Sequence, residues 1–139
     1  MKIIAYYLPQ YHPVKENNEW WGTGFTEWTN VGKARKYFKG HYQPKVPRDL
    51  GYYDLRIPEV RKQQAELALE AGVDGFCYWH YWFGSGKQLL NLPIEEVVAL
   101  GEPDFPFCLG CTMILTDSSN PRVSTCIMIY PILPLLFIY

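Results

Sequence analysis

Three short apolar runs separated by two helical stretches constrain this chain more than any other feature. Lys2 to Leu8 is a nearly continuous apolar run rich in Ile and Tyr, which suits a strand buried on both faces, as in a parallel sheet. Val73 to Tyr78 reads as a second buried strand, and Phe105 to Leu109, introduced by Pro103 and Pro106, as a third. Between the first two lies a helix that Asp54 can cap, with Pro58 and Glu59 in its first turn. Ile57, Val60, Leu67 and Ala71 recur on one of its faces, and Gly72 stops it. A second helix, Pro93 to Leu100, carries Glu95 and Glu96 in its first turn and follows a loop at residues 84–86. Strand, helix, strand, helix, strand is the signature of an α/β fold with a parallel sheet wrapped by helices. Right-handed crossovers place the three strands side by side. A (β/α) barrel needs eight such units and about 250 residues, so the 139 residues here, with about two and a half units, cannot close one alone.

The exception to this order is the stretch from Pro9 to about Leu55, which shows Pro- or Gly-bounded turns and no sustained period. A connection that long is uncommon inside a compact domain unless it carries function. Composition points to the same region, since 18 of the chain's 23 aromatic residues, including all five Trp, fall in residues 1–83.

Charge and cysteines exclude several function classes. With 13 Lys and Arg against 14 Asp and Glu, there is no broad electrostatic case for nucleic acid or an acidic membrane as the main partner. The apolar start is cut by Pro9 and Gln10 before it reaches signal-peptide length, so the chain reads as cytoplasmic, with reduced cysteines and no transmembrane segment. Cys108 and Cys111 form a C-x-x-C pair, but no second pair, no later His and no helix start accompany it. Chance spacing is the reading, with no metal and no cofactor expected.

The carboxyl ends of the strands are where such sheets meet ligands. Here the first strand runs into Tyr6-Tyr7-Leu8-Pro9-Gln10-Tyr11-His12, and the second into Tyr78-Trp79-His80-Tyr81-Trp82-Phe83. Aromatic rings beside polar donors suit sugars, whose C–H faces stack on a ring while their hydroxyls need hydrogen bonds. Alternation sends Trp79 and Tyr81 to one side of the strand and Tyr78, His80 and Trp82 to the other, so each ring belongs either to a core or to a site. His80 is assigned to the site, because a buried His needs partners for both nitrogens. The long connection adds Trp20, Trp21, Glu27 and Trp28. Glu27, between aromatics, is the best acid for holding a sugar hydroxyl or an oxocarbenium-like charge; the alternative is a carboxylate that folds its loop. The expected glycan contacts are therefore Tyr7, His12, Trp20, Trp21, Glu27, Trp28, Tyr78, His80 and Trp82. Asp74, early in its strand, is structural, and no catalytic carboxylate pair can be named. A basic stretch of Lys33, Arg35, Lys36, Lys39, His41 and Lys45 is either a solvated face or a contact for the phosphate of an activated sugar or lipid carrier.

Four segments together resemble the start of WbsX-like proteins, a branch similar to glycoside hydrolase family 99. They are Ala5-Tyr6-Tyr7-Leu8-Pro9-Gln10-Tyr11-His12-Pro13, the segment from Glu19 to Trp28, Gly40-His41-Tyr42-Gln43-Pro44, and the segment from Gly72 to Phe83. The resemblance covers about residues 3–109. It implies a (β/α)8 TIM-type barrel acting on glycosides in bacterial polysaccharide and lipopolysaccharide O-antigen metabolism, by hydrolysis or glycosyl transfer. In the related hydrolases it also implies retaining cleavage of α-mannosidic links by a carboxylate pair on a later strand, outside the matching part.

The resemblance gives out near residue 110. Only two of the 27 charged residues, Asp117 and Arg122, lie beyond residue 109, and residues 127–139 hold 11 apolar residues in 13. The expected organisation is thus residues 1–109 as the N-terminal part of a barrel and residues 110–139 as a divergent apolar tail with no defensible period. The tail is read as out of frame, from a frameshift or a truncated gene, with a genuine hydrophobic tail that packs on the fragment or on a partner as the alternative. The expectation for the chain itself is an inactive, truncated form of a carbohydrate-active enzyme whose partner is a glycan or glycoconjugate. A non-catalytic glycan-binding module and a non-functional pseudogene product are the alternatives.

Overall fold

The computed structural model describes residues 1–83, 86–113 and 127–131. Its elements run in the order β1 (Ile4–Tyr7), α1 (Lys15–Trp21), α2 (Glu27–Lys33), α3 (Pro58–Glu70), β2 (Gly75–Trp82), β3 (Gln88–Leu89), α4 (Leu92–Leu100), β4 (Phe107–Met113) and β5 (Ile127–Pro131). The fold is mixed α/β, a small sheet with several helices.

The three expected strands do lie side by side and parallel, in the order β1, β2, β4. β1 meets only the first half of β2, from Ile4 opposite Gly75 to Tyr7 opposite Tyr78. β3 pairs antiparallel with Tyr81 and Trp82, on the edge that β1 leaves free because β4 occupies the other edge throughout. β5 adds antiparallel to β4, from Cys108 opposite Pro131 to Thr112 opposite Ile127. The apolar tail thus supplies β4 as far as Met113 and one further strand; the rest of it lies outside the described residues. At the other end of the sheet, Asp74 pins the start of β1: its carboxylate accepts the Ile3 N–H at 2.6 Å and its own N–H donates to the Ile3 carbonyl at 2.8 Å.

One face of the sheet is packed. Ala5, Tyr7, Phe76, Tyr78, Phe107 and Leu109 meet Ala65 and Ala68 of α3 and Ile94 of α4. Tyr7 lies 4.8 Å from Phe76 and 4.6 Å from Tyr78, ring to ring, and Phe76 lies 4.8 Å from Phe105. Each such pair adds about 0.5–1.5 kcal/mol to the burial of its rings. The small residues Ala65 and Ala68 let α3 approach these large ones.

The helix α3 does not bury the face its apolar spacing suggests. Ile57 and Leu67 are exposed, and the buried residues are Arg61 and Ala65. The apolar pattern misleads because two polar side chains point inward and find partners there. Gln64 accepts the Tyr7 hydroxyl at 2.7 Å, and Arg61 donates to the Leu55 carbonyl at 2.6 Å while reaching Glu96 of α4 at 2.7 Å. Asp54 does not cap the helix either; it accepts the Arg56 N–H, and Ile57 occupies the N-cap without a side-chain bond.

The opposite face of the sheet carries Ile4, Tyr6, Cys77, Trp79 and Cys108, with Gly110 making room: a Cβ there would sit 3.0 Å from the Cys77 sulfur. Ile4 and Tyr6 are 47% and 65% exposed. β1, expected to be buried on both faces, is therefore half-buried on one and exposed on the other, because among the described residues no layer covers the other.

Candidate functional site

The long connection after β1 is not structureless. It folds into two seven-residue helices, α1 and α2, and then returns to β1. Thr26 caps α2 by accepting the Trp28 N–H at 3.3 Å, and the Glu27 N–H donates to the Gln10 carbonyl at 3.2 Å, which fixes the start of α2 beside the carboxyl end of β1. Further on, the Leu55 N–H donates to the Tyr11 carbonyl. Between these ties sits an aromatic knot. Trp28 lies 4.5 Å from Tyr11 and 4.9 Å from Tyr53, ring to ring, and its indole N–H donates to the Tyr53 carbonyl at 2.8 Å. Burial pushes the Tyr53 hydroxyl up to about 12.

These ties leave a pocket of about 470 Å³ between the strand ends and the two short helices. Trp20 and Trp21 of α1 and Phe25 form one aromatic wall. Tyr81 of β2 and Phe83 just after it, with Leu89 of β3 and Leu90 after it, form another. Gln10, Asn17, Glu27 and Asn30 supply polar groups. Leu90 holds φ at 60°, in the left-handed region, where a side chain costs about 1–2 kcal/mol; the cost falls on a residue that lines the pocket.

The polar groups form two hydrogen-bonded pairs. Gln10 Nε2 donates to the Tyr81 hydroxyl at 2.5 Å, leaving the phenolic proton available to another acceptor. Glu27 accepts one bond from Asn30 Nδ2 at 3.1 Å, so its second oxygen is open. Burial first and the Glu27 charge second raise the Tyr81 hydroxyl above its ordinary range, and the same two causes raise that of Tyr11. Both phenols are hydrogen-bond donors at neutral pH. Among the described residues Glu27 is the one carboxylate in the pocket, enough to orient hydroxyls but not the pair that displacement at a glycosidic carbon uses.

Of the nine residues singled out from the sequence, Trp20, Trp21 and Glu27 come together in this pocket. The other six lie elsewhere. Tyr7 and Tyr78 belong to the core between sheet and helices, where burial raises the Tyr7 hydroxyl and pushes that of Tyr78 up to about 12. His80 and Trp82 stand on the same side of β2 as Tyr78. His80 is buried, and desolvation lowers its pKa against the opposing pull of Glu95 on α4. Trp28 is in the aromatic knot. His12 is 1% exposed with no hydrogen-bond partner on either nitrogen among the described residues, and burial lowers its pKa too. Sequence reasoning passed over Gln10, Tyr81 and Phe83, which the pocket does use. Alternation had separated Tyr81 and Trp79 from the other three residues, and this set supplies the pocket's Tyr81.

A family model described as Glycosyltransferase WbsX matches residues 3–112. The chain belongs to the WbsX glycosyltransferase family. The WbsX match contains every residue that lines the pocket and ends one residue before β4 does. Two curated relatives, each named Uncharacterized protein WxcX, come from Xanthomonas campestris pv. campestris strains B100 and ATCC 33913. Each is 52% identical over 107 residues, which is 77% of this chain and 15% of the relative. The chain thus spans about 15% of the length of these relatives. No solved structure matches this WbsX chain. Among the described residues no helix is long and apolar enough to cross a membrane.

Proposed function

We propose that the pocket between α1, α2 and the end of β2 holds a sugar ring of a glycan or glycoconjugate, as one subsite of a carbohydrate-active enzyme of the WbsX type. The observation that carries this reading is the convergence of Gln10, Glu27 and the Tyr81 hydroxyl on a space walled by Trp20, Trp21 and Phe25. A pyranose offers ring C–H groups to such walls and hydroxyls to such a polar set. The chemistry of the whole enzyme is hydrolysis or transfer at a glycosidic bond in bacterial polysaccharide or O-antigen metabolism, as in proteins similar to glycoside hydrolase family 99. The sheet is the opening of a (β/α)8 barrel. Its parallel order and its apolar second face, which in a barrel would be the packed interior, support this architecture.

One carboxylate in the pocket among the described residues favours binding without turnover by the 139-residue chain. We also propose that residues from about 110 onward are read from a shifted frame; the end of the family match at residue 112 supports this. If neither other reading frame of the DNA downstream encodes barrel-like sequence, the frame shift is refuted.

Titration calorimetry of the chain with mannose-type oligosaccharides tests the binding reading. Saturable binding is expected, weakened about tenfold or more in Trp21→Ala and Glu27→Gln, each of which removes one contact class. A folded sample that binds none of these sugars refutes it.

A further inference from the structure

The segment that follows α2 takes no part in the pocket. From Lys33, at the end of α2, to Arg48 it contains Lys33, Arg35, Lys36, Lys39, Lys45 and Arg48 and no Asp or Glu, in a chain whose net charge is −1. Arg48 pairs with Asp49 at 3.1 Å; the other five have no ion-pair partner among the described residues. The overall balance therefore conceals a strongly basic surface.

The same segment exposes its large apolar side chains. Tyr37 is 82% exposed, Phe38 67%, Tyr42 71% and Val46 55%. These side chains are not loosely strung. The His41 N–H donates to the Phe38 carbonyl at 3.1 Å across Lys39 and Gly40, and Gly40 takes φ 87°, the left-handed value this tight turn requires of its third residue. The Tyr37 N–H donates to His41 Nδ1 at 3.3 Å, and the Phe38 and His41 rings stack at 4.5 Å within 5° of parallel. A built turn thus presents two aromatic rings and the ammonium of Lys39 to solvent.

We infer that this turn and its flanks are a docking surface for an anionic lipid bilayer. Cationic groups are drawn to the headgroups, while Tyr and Phe rings are the side chains that settle at the boundary between headgroups and acyl chains. The long stems of Lys36 and Lys39 let their charges stay at the surface as the rings enter. A nucleic-acid strand would use the same charges, but proteins that hold single strands track them along a groove of stacking rings. Among the described residues, the pocket walled by Trp20, Trp21 and Phe25 is not lined by Tyr37, Phe38 or Tyr42. Phe38, moreover, has one ring face already taken by His41.

Vesicle flotation of the full 139-residue chain tests this. The chain floats with vesicles of phosphatidylcholine mixed with phosphatidylglycerol, not with phosphatidylcholine alone, and high salt reduces the bound fraction. The double variant Lys36→Glu/Lys39→Glu lowers partitioning by about tenfold or more, and Tyr37→Ala/Phe38→Ala lowers it comparably. Lys62→Glu, one such charge reversal on the exposed side of α3, leaves it within about twofold, since a charge beyond a Debye length from the bilayer is screened. Arg35→Glu is the second variant should either double variant alter the far-UV spectrum. Failure to float with the mixed vesicles overturns the inference. So does an equal loss in Lys62→Glu. Binding that ignores loss of the two rings and is competed by soluble RNA also overturns it, and marks a polyanion surface instead.

Discussion

Tyr78 and Tyr81 stand three residues apart on β2 and serve opposite ends. Tyr78 faces the helices, lies 4.6 Å from Tyr7 and 5.8 Å from Phe107, ring to ring, and is 4% exposed. Tyr81 faces the other way, takes a hydrogen bond from Gln10 and opens onto the pocket. An odd spacing along a strand is enough to produce the difference, because successive side chains point to opposite faces. One row of β2 is committed to holding α3 and α4 in place, and the other is free to meet a ligand. The strand can therefore carry an aromatic at nearly every position without the rings competing for one role.

The largest expected effect breaks this comparison if it fails. Tyr78→Ala leaves a cavity in the helix-facing core and costs about 3–5 kcal/mol, as loss of a large buried ring does. Tyr81→Ala costs about 1 kcal/mol, little more than the bond to Gln10, but weakens binding of the oligosaccharides. Urea unfolding of the two variants, followed by calorimetry, checks both statements. Equal losses of stability would mean that the two faces are not divided as described.

A middle-sized effect sharpens the comparison at the start of the strand. A Cβ at Gly75 would come within 2.6 Å of the Pro106 carbonyl oxygen, the same oxygen that accepts the Phe76 N–H at 2.9 Å. Neither backbone can move without parting β2 from β4, so Gly75→Ala costs about 1–3 kcal/mol. At Gly110 the close atom is the Cys77 sulfur at 3.0 Å, a side chain that can turn away. Gly110→Ala is expected to cost less than Gly75→Ala, read from the urea midpoints of the two variants. The reverse order would show that the Cys77 side chain is held more firmly than the Pro106 backbone.

The contrast also explains what could be read from the sequence and what could not. The parallel order of β1, β2 and β4 followed from apolar runs separated by helical stretches, and Pro58 and Gly72 bracketed α3 closely. α1 and α2 were missed because seven residues make two turns, too few for a period to emerge, although Thr26 before Glu27 was a legible cap. The buried face of α3 was misread because Arg61 and Gln64 take inward positions that apolar counting assigns to solvent. In the site, alternation separated the two rows of β2 correctly. Choosing between the rows required knowing which side the helices cover, and His80 drew the choice toward the covered side. Trp20, Trp21 and Glu27 were legible as a cluster because they lie close together in sequence. Gln10 and Tyr81 meet only when β1 and β2 pair.

The smallest effect concerns the two histidines on the packed side. His80 lies behind β2 near Glu95, and His12 is enclosed by groups from three elements: Asp54 and Arg56 ahead of α3, Arg61 on α3 and Glu96 on α4. Asp54 and Glu96 favour the protonated ring and the two arginines oppose it, but loss of water is the largest influence, so both pKa values fall below the ordinary 6.5. Between the folded and unfolded pKa values the unfolded chain binds more protons, so stability rises with pH there. The contribution is fully present above about pH 6.5 and is lost as pH falls toward the folded values. Asp54 titrates in a separate window. A hydrogen bond from Arg56 lowers its pKa below 3.8, and its contribution disappears only as pH drops through that lower value. Urea midpoints measured from pH 7.5 downward should therefore show two falls. His12→Leu, which removes an ionisable ring that has no partner on either nitrogen among the described residues, should flatten the upper fall and move the lower one only slightly, since Arg56 rather than His12 is the main influence lowering Asp54. A curve whose upper fall survives replacement of both His12 and His80 would place its origin outside the packed side of the sheet.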